Sequence, residues 1–397
     1  LALAERADLV DAGGQLAALL DEPLLVPYLC LFAIDIPLFS LAHSHRNILV
    51  GLGAFGQSAR ASAWRSVTRL VLVVVLVELG LSVPGAIAAN IGASLAELVV
   101  VRRAIRPSLL GRFSLSVRPL WNFAAPLFFS SLSLSCFSRL DLFALKALNG
   151  TALQAGIYGA AQNLSLLPGI FAISFSPLLL STLSRTLHVG EEALARELGR
   201  NAMRLVMGLL PLAAMIAGAA PDIVGLLFGP RFAPAAPLLA MLIVGSVALV
   251  IVSVSTAILT AAGEPGRTLA LTGPLLPAAL VGHVLVIPRF GPAGAAFVTT
   301  LCAGVCAVAA VLAVYRLWAI LPPAGTLART ALVSALAYAL AAAWATPGFL
   351  LLVKLPIIGV AAVFAYLLLG ECSAEEIAVA RSLVGLRTGP AHQPHEM

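Results

Sequence analysis

Residues 51–62 read GLGAFGQSARAS, and residues 260–271 read TAAGEPGRTLAL. In each stretch two glycines three positions apart, Gly53 and Gly56 or Gly263 and Gly266, stand before an apolar run. The likeness continues downstream. ELGLSVPGAIAANIG at 78–92 is answered by RFGPAGAAFVTTLCAG at 289–304, with Gly80 and Gly85 opposite Gly291 and Gly294. Each copy then closes on arginine, Arg102 and Arg103 in one and Arg316 in the other. Self-similarity at a fixed offset, here about 210 positions, is the signature of a duplicated unit. Both copies enter from an arginine-bearing side, so the halves run parallel, related by an axis along the normal of the layer they cross.

That layer is lipid. Of 397 residues, 60% are hydrophobic and 11% charged, and the mean hydropathy is +1.03. So little polar surface cannot cover a water-soluble body of this size. A spanning helix takes about 20 apolar residues, and apolar runs between charged or Gly/Pro-rich breaks predict about eleven such helices. They are expected at 24–42, 66–82, 84–101, 121–147, 157–184, 203–221, 236–262, 268–288, 293–315, 328–346 and 349–370. The runs are continuous and do not alternate, which excludes a β-barrel. An all-α integral membrane protein is the expected fold class.

Charge fixes the expected orientation. One set of breaks holds Arg46, Arg60 and Arg65, then Arg102, Arg103, Arg106, Arg112 and Arg118, then Arg185, Arg196 and Arg200. Arg267, Arg316, Arg329, Arg381 and Arg387 continue that set, while the other carries only Arg6, Arg231, Arg289 and Lys354. Basic residues collect on the cytoplasmic side, so a multi-pass protein with a cytoplasmic C-terminus is expected. The opening LALAERADLV lacks an initiator Met and a signal-peptide pattern, and reads as the end of a membrane helix begun upstream. The expected organisation is therefore 1–118 as the remainder of an N-terminal lobe with its first three helices absent. A six-helix C-terminal lobe at 119–317, an added helix pair at 318–370 and a cytoplasmic tail at 371–397 complete it. No basic run interleaved with aromatics supports nucleic-acid binding. The five cysteines show no metal-ligand or disulfide spacing, and no cofactor is implied.

Against this apolar background stands SRLDLFALKALNGTALQAGIYGAAQN at 138–163, with Arg139, Asp141 and Lys146 close together. An ionised side chain at the membrane centre costs about 2.5–3.5 kcal/mol, so such residues face water, a partner or a substrate. Arg139 and Asp141 lie about 200° apart on a helix of ~3.6 residues per turn and cannot pair on one face. One of them is expected to point inward. Tyr158, Gln162 and Asn163 return at similar depth on the following helix. Two readings stay open: a polar, cationic patch on a substrate path, or interhelical hydrogen bonding among Asp141, Gln162, Asn163 and backbone carbonyls. Lys146 is expected to snorkel to the interface. For Asp35, in FAIDIPLF beside Pro37, two readings stay open, a protonatable or cation-coupled site and a hydrogen-bonded helix contact near a kink. Glu97 and His283 are further intramembrane ionisable residues that could line the lobes, and Arg46, Arg102, Arg103 and Arg316 are expected anchors for anionic lipid, with a first docking site for a pyrophosphate as the alternative.

GTALQAGIYGAAQNLSLLP, PDIVGLLFGPRFAPAAPLLAMLIVGS, LTAAGEPGRT and GPAGAAFVT, in this order and spacing, resemble the polysaccharide-export flippases of the MOP superfamily. These are relatives of the MATE exporters and the lipid II flippases. The resemblance covers roughly Leu24 to Leu369. It implies a two-lobed, V-shaped fold of two six-helix repeats plus a final helix pair. It also implies movement of an undecaprenyl-pyrophosphate-linked oligosaccharide from the inner to the outer leaflet of a bacterial inner membrane by alternating access. Membrane lipid, polysaccharide polymerase and glycosyltransferase machinery are the implied partners.

A MATE-type exporter of organic cations is the near alternative, and the Arg139 region argues for an anionic cargo instead. A membrane-embedded glycan polymerase or ligase would need an acid–base pair on an outer loop, where Asp222 stands almost alone. No P-loop pattern occurs, so ATP is not expected to drive the process directly.

Overall fold

The computed structural model describes residues 25–105, 117–148, 151–319, 324–346 and 348–370. Every long element in them is a helix, and nine stretches are long and apolar enough to cross a membrane. Two of those, Phe55–Ala104 and Pro265–Trp318, each hold two helices joined at a non-helical glycine, so eleven crossings result. The helices divide into two compact units, Leu1–Leu115 and Ser116–Met397. Arg6, Arg106, Arg112, Arg381, Arg387 and the expected tail at 371–397 lie outside the described residues.

The first unit contains α1 (Leu25–Ala33), α2 (Asp35–Gly51), α3 (Phe55–Leu76) and α4 (Ser82–Ala104). The second contains α5 (Val117–Ala147), α6 (Ala152–Ser165), α7 (Leu167–His188), α8 (Glu192–Met207), α9 (Leu209–Gly218) and α10 (Ala220–Phe228). It continues with α11 (Ala235–Ala261), α12 (Pro265–Thr272), α13 (Leu275–Trp318), α14 (Ala324–Ala343) and α15 (Leu351–Leu368).

The duplication is written into the backbone. Gly53 has φ +75 and Gly263 φ +78. Around them the closing hydrogen bonds agree residue by residue: Ala54 N to Leu49 O and Gly53 N to Val50 O in one copy, Glu264 N to Leu259 O and Gly263 N to Thr260 O in the other. Left-handed glycine at a helix C-terminus satisfies carbonyls that the helix leaves free. The second glycine pair turns each hairpin. Gly80 has φ +85, inside a π-turn at Val77–Leu81, and Gly291 has φ +56. A Cβ on the following glycine would crowd the incoming chain in both copies, at 2.8 Å from Leu81 Cβ in the turn and 3.1 Å from Leu76 O for Gly85, and 2.9 Å from Val286 Cγ1 for Gly294.

Sequence-based limits shift where polarity and helix propensity disagree. α2 continues past 42 through His43, His45 and Arg46 to Gly51, and α3 begins at Phe55, ahead of 66. Helices extend beyond the apolar run because the backbone keeps its hydrogen bonds in any solvent. Proline accounts for three further breaks. The expected helix 157–184 divides at Leu166 ahead of Pro168, the helix at 203–221 at Gly208 ahead of Pro211, and 268–288 at Gly273 ahead of Pro277. Each proline lacks an N–H and crowds the carbonyl four residues earlier.

α11 is the axis of the second unit. It is apolar around its circumference and packs against α6, α7, α8, α9, α10 and α13. Outward-facing residues such as Leu70, Ile173, Leu285 and Val360 remain exposed, as lipid contact requires.

Candidate functional site

α5, α6 and the second half of α13 bring four polar side chains together. Asp141 belongs to the last turns of α5 and is 1% exposed. Tyr158 and Gln162 lie four residues apart on α6 and so share one face. The start of α6 is fixed by a capping box, in which Gln154 N donates to Thr151 Oγ1 at 3.2 Å and Thr151 N donates to Gln154 Oε1 at 3.1 Å.

The carboxylate is saturated with uncharged donors. Tyr158 Oη donates to Asp141 Oδ2 at 2.6 Å, and Gln162 Nε2 reaches Oδ1 at 2.9 Å and Oδ2 at 3.1 Å. Leu142 N adds a bond to Oδ1 at 2.8 Å, and Thr299 Oγ1 donates to Oδ2 at 3.4 Å. About four lone-pair sites are thereby occupied. Leu145, Ala161, Leu239, Ile243, Ile287 and Ala296 belong to the same buried apolar cluster as Tyr158. Among the described residues no ion pair includes Asp141. Its charge is met by dipoles, and hydrogen bonds to an ionised group contribute about 1.5–3 kcal/mol each. His283 on α13 is fully buried, and among the described residues neither ring nitrogen has a hydrogen-bond partner.

The expected site residues thus divide. Asp141, Tyr158 and Gln162 come together and turn to one another instead of to open space. Arg139, Asn163 and Lys146 are exposed. Arg139 and Asp141 occupy opposite faces of α5, as their spacing requires. Asn163 is not in the hydrogen-bonded cluster, because one residue past Gln162 it is carried around the helix. Asp35 belongs to the first unit and is 4% exposed, and among the described residues its Oδ1 has no hydrogen-bond partner.

Two charged networks escaped sequence reading. In the first unit Glu97 is fully buried and accepts from Arg46 Nη1 at 2.8 Å and Arg65 Nη1 at 3.2 Å. Arg46 Nη2 also lies 2.6 Å from His43 Nδ1, and the Arg65 guanidinium sits 4.2 Å from the Phe39 ring centroid. These arginines tie α2 and α3 to α4, so Arg46 serves an ion pair inside the unit. In the second unit Lys354 on α15 is fully buried, with Nζ 2.6 Å from Asp222 Oδ2 on α10. Thr346 N and Oγ1 complete that oxygen's partners at 3.3 and 3.5 Å. A lysine inside an apolar 18-residue helix was the available signal, because such a charge needs a mate. Among the described residues no three His, Cys, Asp or Glu side chains converge as a metal site.

The fold is similar to solved membrane exporters. The Vibrio cholerae MATE transporter VcmN in its bent form aligns at TM-score 0.64 and 19% identity, over 79% of this chain and 75% of that one. An outward-facing multidrug resistance MATE family transporter of the MOP superfamily aligns at 0.66 and 15%, over 78% and 74%. The lipid II flippase MurJ, in an inward closed conformation, aligns at 0.60 and 14%, over 91% and 74%. No curated protein matches the sequence. These structural likenesses define the class of fold, the all-helical multi-pass membrane bundle that those proteins share. The profile of the family described as polysaccharide biosynthesis protein matches residues 9–237, more than half of the sequence. The chain belongs to that family.

Proposed function

We propose that the protein flips an undecaprenyl-pyrophosphate-linked oligosaccharide from the inner to the outer leaflet of a bacterial inner membrane by alternating access, supplying cell-surface polysaccharide such as lipopolysaccharide. The observation carrying this reading is the conjunction of a polysaccharide-biosynthesis family profile with the fold of MATE exporters and a lipid II flippase. The arginine-rich ends of the helices and the C-terminus face the cytoplasm in this scheme. Glycosyltransferases would supply the cargo and a polymerase would consume it.

Exposed Arg139 suits a pyrophosphate, because its planar fork binds phosphate oxygens in pairs. Asn163 offers an amide to the attached sugar. Asp141, Tyr158 and Gln162 act through position, holding α5 and α6 so that Arg139 and Asn163 are presented at fixed spacing. Asp35, with an unpartnered buried oxygen, is the residue assigned to ion coupling, since a bound proton or cation would relieve that oxygen.

The test is complementation of a strain lacking the gene, with Arg139→Ala compared at equal protein level. Loss of surface polysaccharide together with accumulation of the lipid-linked intermediate is expected. Unchanged polysaccharide, with changed resistance to organic cations, would favour a MATE-type exporter instead.

A further inference from the structure

α12 and α13 border a half-open apolar hollow with a charged mouth. Its volume is about 540 Å³, and Ala270, Ala309, Leu312 and Ala313 line it together with Arg267 and Arg316. The three alanines create the space, since larger side chains there would fill it. The two arginines stand at one end. Arg267 is in the first turn of α12 and Arg316 in the last turn of α13, so both lie one to two turns beyond the alanines, roughly 5–10 Å at 1.5 Å per residue. Tyr315, 43% exposed, and Trp318 flank Arg316. Aromatic residues beside a terminal arginine mark the membrane–water boundary.

A mouth of guanidinium at the interface above a hollow of methyl groups has the polarity of a phospholipid reversed in charge. We propose that this hollow holds one anionic phospholipid, phosphatidylglycerol or a chemical equivalent, with its phosphodiester between Arg267 and Arg316 and an acyl chain against Ala270, Ala309 and Ala313. Charge complementarity selects the occupant. Glu264 Oε2 lies 3.4 Å from Arg267 Nε, with side chains 40% and 49% exposed, so together with Arg316 the mouth carries one net positive charge. A phosphodiester with one negative charge neutralises it, a zwitterionic lipid does not, and a pyrophosphate overcompensates. Basic pockets between helices on the cytoplasmic side bind acidic head groups in this way. The site is independent of what the protein transports.

Native mass spectrometry of the protein, released from micelles holding equal phosphatidylglycerol and phosphatidylcholine, tests the proposal. The unaltered chain should retain phosphatidylglycerol preferentially, and Arg267→Gln with Arg316→Gln should cut that retention about tenfold. Ala309→Leu with Ala313→Leu, which fills the hollow and keeps both charges, should also abolish it. Arg185→Gln with Arg200→Gln, equally basic but elsewhere, should leave it unchanged. Equal retention of both lipids by the unaltered chain overturns the proposal. So does equal loss in the Arg185/Arg200 variant, or retention that survives filling of the hollow. Displacement of the lipid by inorganic pyrophosphate would also overturn it and assign the mouth to a pyrophosphate head group.

Discussion

Tyr158 Oη lies 2.6 Å from Asp141 Oδ2, joining α5 to α6 across seventeen positions of sequence inside an apolar shell. Removing the hydroxyl leaves a buried carboxylate oxygen with a gap in its solvation. Tyr158→Phe should therefore destabilise by about 1.5–3 kcal/mol. Tyr158→Phe combined with Asp141→Asn should cost less than the two separate losses added together, because both act on one network. Thermal unfolding of the purified protein in detergent checks both.

Asp222 and Lys354 form the second buried link, and here both partners are ionisable. Taking away one partner strands the other, and Lys354→Met or Asp222→Ala alone should cost about 3–5 kcal/mol. The double variant Asp222→Leu with Lys354→Met should recover most of that loss. Thermostability followed by size-exclusion chromatography distinguishes recovery from an additive decline.

Glu97 has two cationic partners where most pairs have one. Glu97→Gln leaves Arg46 and Arg65, each about one-fifth exposed, facing each other without their shared anion. A loss of about 3 kcal/mol is expected, with partial rescue by adding Arg65→Leu. A double-mutant cycle on unfolding midpoints measures it.

The fold was legible because lipid imposes a simple rule. Unbroken apolar runs between arginine-bearing breaks mark the crossings, and the Gly53/Gly263 correspondence reappears as matched backbone geometry, while Gly80 and Gly291 share a positive φ with different ψ. Helix ends were less legible. Pro168, Pro211 and Pro277 lie inside apolar runs, and hydropathy does not register the hydrogen bonds they remove. For the polar residues, spacing alone separated Arg139 from Asp141 on α5. It could not reveal which face was buried, because that depends on Thr299, 158 positions away. Arg46 with Glu97 and Asp222 with Lys354 were hidden for the same reason, being 51 and 132 positions apart.

The duplicated glycines should respond alike to substitution. Gly80→Ala and Gly291→Ala place a Cβ in a backbone region that L-residues avoid, and each should cost about 1–3 kcal/mol. Gly56, near the start of α3, has open space around a Cβ and an ordinary φ. Gly56→Ala should stabilise by about 0.5–1 kcal/mol. Parallel unfolding measurements on the three variants compare them directly.

The most direct measurement is leaflet exchange. The full-length protein is reconstituted in liposomes with a fluorescent undecaprenyl-pyrophosphate-linked oligosaccharide on one leaflet, and a membrane-impermeant quencher reports crossing. Protein-dependent crossing is predicted, slowed about tenfold or more by Arg139→Ala as one set of phosphate bonds is lost. Absence of crossing, in liposomes where the same protein moves an organic cation, would contradict the account.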